Sequence, residues 1–171
     1  MDTKKEQFSL IYDQYIDKIY RFIYLKVSSQ EIAEDITSKV FLKGFEAYKN
    51  SVTVEPIQNI SAFLYQIARN TIVDHYREGG KTKVISADYV PEIADSRTDI
   101  HQRAMIRADV DMIKSAIQNI KKEYQDVIIW HYLEDMSAEQ IAHIINKPAG
   151  TVRVMIHRGL HALRDELPRE V

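Results

Sequence analysis

The cations placed most usefully for chemistry lie between Thr151 and His161. In a helix at about 100° per residue, Val154, His157, Arg158 and His161 share one face, with Thr151 at its start and Arg153 and Arg164 on its flank. No acidic residue follows until Asp165. Arginine on such a face bridges phosphates or pairs bidentately with guanine, which is the chemistry of a major-groove contact; the alternative is a solvated helix in a bundle. His157 and His161 also stand at the i, i+4 spacing of metal ligands. The zinc-protease pattern needs glutamate directly after the first histidine, and Arg158 is there instead. With no glycine-rich phosphate loop or serine elbow, neither an enzyme nor a cofactor or metal site is expected.

A second polar set, Arg69, Asn70, Asp74 and Arg77, falls within Ser61 to Arg77. Such a face is usually just solvated, yet its guanidinium and amide donors suit a nucleic-acid strand.

The elements that must position the first set form a helix-turn-helix. Ser137 and Gln140 make a capping box, so a helix starts near Ala138. Ile141, Ala142 and Ile145 give its apolar stripe, with Ala142 small enough for a close crossing. Asn146 enters the left-handed region cheaply, and Pro148 has the fixed φ of a first helical turn. From Thr151, the side bearing Val152, Ile156, Leu160, Leu163 and Leu167 is core.

Upstream, Phe8, Ile11, Tyr12, Tyr15, Ile19, Phe22 and Ile23 predict one amphipathic helix over Thr3 to Val27, with its tyrosines in core and rim packing. A second capping box, Ser28 with Glu31, opens a helix through Ile36, Val40 and Phe45 to about Tyr48. Asn50 to Ile60 reads as a loop. The next helix buries Phe63, Leu64, Ile67, Ala68, Ile72 and Tyr76. From Glu78-Gly-Gly-Lys81 to Asp99 there is no stable period, only a linker with an optional strand at Lys83 to Ile85. Helicity resumes near Ile100, with one stripe of Met105, Val110, Ile113, Ile117 and Ile120. A second comprises Tyr124, Val127, Ile128 and Leu133, with Trp130 and His131 beside it. The fold class is therefore all-α: two small helical domains, 1–78 and 100–171, joined by a flexible linker over 79–99, the second containing the helix-turn-helix.

Composition narrows the function. The chain has 171 residues, 45% of them hydrophobic, no cysteine and a formal charge of −2 from 23 basic and 25 acidic residues. That balance excludes a protein that coats nucleic acid through bulk charge, so DNA contact must be local and weak without a larger partner. Without a membrane span or signal sequence, a cytoplasmic location without membrane insertion is expected.

Three stretches together, Asp35 to Phe45, Ile67-Ala-Arg-Asn-xxx-Asp74-xx-Arg77 and Gly150-Thr-Val-Arg153, resemble the extracytoplasmic-function sigma factors of bacterial RNA polymerase, in order and spacing over nearly the whole chain. The resemblance implies that residues 1–78 dock on core polymerase and capture melted promoter DNA, while 100–171 grip the upstream element in duplex form. It places Asp35, Ser38, Lys39 and Phe41 on the polymerase-docking helix and Arg69, Asn70, Asp74 and Arg77 at the melted strand. It further implies a monomer when active, an anti-sigma partner and, as the chain stops at Val171, a separate regulator. Two departures stand out. Ser38-Lys39 replaces a common Gln-Glu, reversing a charge on the docking surface, and Val154-Met155 replaces Ser-Arg on the recognition helix, where apolar side chains can touch thymine methyls. A one-component helix-turn-helix regulator remains the alternative; it predicts a stable dimer that binds a palindromic duplex without polymerase.

Overall fold

The amphipathic periods of the sequence become helices in a computed structural model that describes residues 3–50, 59–79 and 111–168. In the N-terminal half, α1 spans Thr3–Val27, α2 Gln30–Asn50 and α3 Ile60–Gly79. In the C-terminal half, α4 covers 111–118 and α5 spans Lys122–Ile128, running straight into a π-helical turn, Ile129–Leu133; α6 is Ala138–Ile145 and α7 Ala149–Glu166. No strand occurs among the described residues. The linker beyond Gly79, the optional strand at Lys83 to Ile85, and Met105 and Val110 all lie outside them.

Each boundary has a local cause. The break between α1 and α2 is made by Ser28, whose φ of 63° is left-handed while its N–H donates to the Tyr24 carbonyl at 2.8 Å. That geometry moves the cap of α2 one residue past the expected one. The Ser29 hydroxyl, not that of Ser28, accepts from the Ile32 N–H at 3.3 Å. At α3, the Asn59 side chain accepts from the Ala62 N–H at 3.0 Å. Gln125 is buried at the start of the C-terminal half, where its amide donates to the Ile120 carbonyl at 3.0 Å and satisfies a group between α4 and α5.

The N-terminal half packs as three helices. Phe8 lies against Phe41 and Phe45, and Gly44 lets α3 approach α2: a Cβ there would meet Leu64 Cδ2 at 3.2 Å. In the C-terminal half the close crossing is made by Gly159 rather than by Ala142. A Cβ at Gly159 would lie 2.9 Å from Ile128 Cγ1, so α5 and α7 touch backbone to side chain. The buried stripe of α6 is accordingly Ala138, Ile141 and Ile144, while Ala142 and Ile145 are half-buried.

The largest difference from the sequence reading is Trp130. It is fully buried at the centre of the molecule, not beside a stripe. The cause is the π-helical turn, which widens the helix and rotates everything after Ile128 off the 3.6-residue period; Leu133, expected inside, is 42% exposed. The Trp130 ring stacks on Phe22 of α1 at 5.2 Å and 17°, and meets Tyr65 of α3 edge-on at 5.6 Å. One hydrophobic cluster therefore runs through both halves. It also explains why four consecutive α1 residues, Phe22 to Leu25, are all buried: α1 is covered on more than one side. Two more sequence expectations fail for the same reason, that burial depends on which neighbour arrives. Ile113 is 41% exposed because α4 buries Ala116 and Ile117 instead, with Ile120 buried just beyond its end, and Tyr76 is 42% exposed, its hydroxyl 3.5 Å from the Lys26 carbonyl.

Candidate nucleic-acid interface

The helix-turn-helix forms as its residues dictate. Both arms of the capping box close: the Gln140 N–H donates to the Ser137 hydroxyl at 3.1 Å and the Ser137 N–H donates to the Gln140 side chain at 2.9 Å. Asn146 ends α6 at φ 57°, ψ 48°, in the left-handed region, and Pro148 is the residue before the first turn of α7. The helix begins at Ala149, two residues before Thr151.

On α7 the outer face is open. Thr151, Arg153, Val154, His157, Arg158 and His161 are all exposed, whereas Val152, Ile156 and Gly159 are buried. The His157 and His161 rings meet edge-on with centroids 4.7 Å apart. Met155 departs from expectation. It is 8% exposed and packs in the core, because Gly159 draws that side of α7 onto α5; Val154 alone, 47% exposed, presents an apolar surface outward. Glu139 of α6 accepts an ion pair from Arg153. Both side chains are open to solvent, so this contact aims the guanidinium but adds little stability.

The second set divides. Asn70, Asp74 and Arg77 are exposed on α3. Arg69 is turned inward, its Nε donating to Asp126 Oδ2 at 3.1 Å. The other Asp126 oxygen accepts from Lys26 Nζ at 2.7 Å. Asp126 is buried, so its two oxygens are desolvated and matched to two cations from the other half of the chain. Around them is a cleft of about 720 Å³ between α1, α3 and α5, lined among others by Lys26, Arg69, Tyr76, Arg77, Lys122 and Asp126. Lys122 sits over the Tyr76 ring at 5.0 Å. Burial pushes the Tyr76 phenol above its ordinary range.

On α2, Asp35, Ser38 and Lys39 are exposed, and Lys39 pairs with Asp35 at 3.1 Å one turn apart. Phe41 is 5% exposed, against Tyr12 and Phe8, so it shapes the surface from beneath rather than forming it. The apolar group actually presented there is Leu42, 61% exposed beside an apolar groove lined by Phe8, Tyr12, Ile16, Phe41 and Phe45. Leu42 was legible as a break in the stripe, an apolar residue on the polar side of α2. Asp126 and Lys26 gave no such signal, because their partners are remote in sequence. No group of three or more His, Asp or Glu close enough to hold a metal ion occurs among the described residues, and no helix there is long and apolar enough to cross a membrane.

A capped helix-turn-helix with an open cationic face, preceded by a helical unit with a cleft lined by lysine and arginine, has the form of a DNA-binding protein. The comparisons agree. Residues 11–82 match Sigma-70 region 2, and residues 111–163 match Sigma-70, region 4. The ECF RNA polymerase sigma factor SigW of Bacillus subtilis (strain 168) is 30% identical over 173 residues, covering 95% of this chain and 90% of the relative. The protein belongs to the ECF RNA polymerase sigma factor family. Two solved structures share the fold with a TM-score of 0.67. One is CnrH in complex with the cytosolic domain of CnrY, at 15% identity, covering 94% of this chain and 87% of that one. The other is RpoE from Bartonella quintana in complex with the anti-sigma factor NepR, at 17% identity and 94% and 96% coverage.

Proposed function

We propose that the protein binds core RNA polymerase in the cytoplasm, brings it to a bipartite promoter and promotes DNA melting, without catalysis of its own. The observation that carries this is that both sigma regions occur in one chain, in order, with the outer face of α7 unobstructed. Arg153, His157 and Arg158 contact the upstream duplex, with Thr151 and His161 at the ends of the face and Val154 against a thymine methyl. Arg69, Asn70 and Arg77, with Asp74 beside them, receive the melted non-template strand. Unstacking costs about a few kcal/mol per extruded base, so a pocket and a cationic track must supply it as binding energy. Asp35, Ser38 and Lys39 lie on the polymerase-docking surface, supported by Phe41 beneath. An anti-sigma protein is the regulatory partner, as NepR is for RpoE.

The test is run-off transcription with core polymerase on a promoter library, with a permanganate footprint of the melted region. Sequence-dependent initiation is expected, and its absence throughout the library would sink the proposal. Within that assay, Arg153→Ala and Arg158→Ala are expected to weaken the duplex step, while Arg69→Ala and Asn70→Ala impair melting or shorten open-complex lifetime. Failure of all four at one step would refute the division of labour.

A further inference from the structure

Arg153 stands on the DNA-facing side of α7 already paired, to a carboxylate from the neighbouring helix. We propose that Glu139 is a positioning residue for promoter readout: it holds the Arg153 guanidinium in the orientation that pairs with a guanine and keeps it off the phosphate backbone, so that sequence discrimination rises while bulk affinity for duplex falls. The proposal rests on the assignment of Arg153 to the upstream duplex.

Three observations carry it. First, both ends of the pair are anchored. Glu139 lies between buried Ala138 and Gln140, whose side chain and N–H both close the capping box with Ser137. Arg153 follows the fully buried Val152 in the early turns of α7, the part of a recognition helix that reaches base edges. Two fixed backbones therefore carry the pair, and the contact selects among the rotamers of a long side chain.

Second, the contact uses little of the guanidinium. Arg153 Nη2 donates to Glu139 Oε1. An edge of Nη1 and the second Nη2 hydrogen is left to pair with guanine O6 and N7. Third, the pair is open to solvent, its side chains 61% and 60% exposed, so it contributes little to stability. Glu139 also suits the positive end of the α6 macrodipole, but that role needs no cation on a second helix. The α7 helix has no acid of its own before Asp165, so the charge that restrains Arg153 comes from α6. A free arginine on the flank of the face bridges whichever phosphate is nearest; one held by a carboxylate is kept from that contact, because the same carboxylate repels phosphate.

The test uses the full chain with core polymerase on promoters whose upstream element is randomised, and base preference is read by sequencing the templates held in initiated complexes. Arg153→Ala is expected to erase a preference for guanine at one position, and Glu139→Ala to reduce the same preference about tenfold, within the range of one bidentate base contact. Glu139→Gln keeps an acceptor for Arg153 without the charge and is expected to retain most of the preference. A role confined to the macrodipole would instead leave preference unchanged in both variants and alter only thermal stability. Adding Glu139→Ala to Arg153→Ala is expected to change nothing more at that position, since Glu139 acts through Arg153. Binding of the full chain alone to a scrambled duplex, followed by fluorescence anisotropy, is expected to tighten about threefold in Glu139→Ala, with a salt dependence steeper by about one unit of slope. Preference that survives Glu139→Ala while Arg153→Ala erases it would overturn the positioning. Unchanged binding to the scrambled duplex would overturn the restraint on backbone contact. Failure of the underlying assignment has another signature: Arg153→Ala then leaves every base preference in place, and the proposal falls with it.

Discussion

Gly159 shows how one missing methyl group sets the geometry of the DNA-facing helix. Its Cα side lies against Ile128 and Tyr124, with only 2.9 Å left for a Cβ. Gly159→Ala must push α7 away from α5 or strain Ile128, and is expected to destabilise the fold by about 1–3 kcal/mol, read from urea denaturation. Gly150 is the control, since nothing lies within 4 Å of a Cβ there. Gly150→Ala is expected to be neutral or mildly stabilising, by up to about 1 kcal/mol for a helical position. At the same scale, Arg158 is exposed and forms part of the open face. Arg158→Ala is expected to reduce the salt dependence of duplex binding by about one unit of slope if that guanidinium meets a phosphate, measured by titration at several salt concentrations.

At the scale of elements, the helix-turn-helix is held by local chemistry at its start and by packing at its crossing. The Ser137–Gln140 box satisfies two backbone donors at the start of α6, so Ser137→Ala is expected to cost about 1 kcal/mol of stability, measured by thermal unfolding, with fraying at the start of α6. The π-helical turn is the element whose effect is widest. By widening the helix at Ile129 it aims Trp130 at Phe22 and Tyr65 and leaves Leu133 and Tyr132 outside. The turn after it is set by Asp135 at φ 54° and by the His131 ring, whose Nδ1 donates to the Met136 carbonyl at 2.8 Å. The chain thereby reaches Ser137 in position to cap α6.

Across the whole molecule, Tyr65 links the contact between halves to pH. Burial pushes its phenol above the ordinary value of 10.0, with the nearby Glu134 charge acting in the same direction and Arg21 against it. The closed state thus holds this proton more tightly than an open or unfolded state does. Its contribution is fully present below pH 10 and is lost as pH rises further. Alkaline titration should therefore open or unfold the chain above that value. Trp130, the only tryptophan, reports it by a red-shifted emission and increased quenching. Tyr65→Phe removes both the titrating group and the unpartnered hydroxyl, and is expected to move the onset to higher pH without loss of stability at neutral pH. An unchanged onset would show that another group governs the alkaline transition.

The sequence by itself determined whatever depends on neighbours within a few residues: the capping box at Ser137, the left-handed Asn146, the open face of α7 and the order of the α-helices. Those features are local because a helix brings together residues three and four apart. The limits of that locality are visible residue by residue. The sequence points to Ser28 with Glu31 as the cap of α2, but the left-handed turn at Ser28 passes that role to Ser29, and Met155 packs inward because Gly159's close approach is a property of two helices. Only the tertiary structure decided that Trp130 joins the halves, that Phe41 lies beneath its surface, and that Arg69 pairs with Asp126. The pairings of Arg69 with Asp126 and of Arg21 with Glu134 join residues 57 and 113 positions apart. No periodicity encodes such partners, because burial and charge pairing are settled by which surfaces meet once the helices have formed.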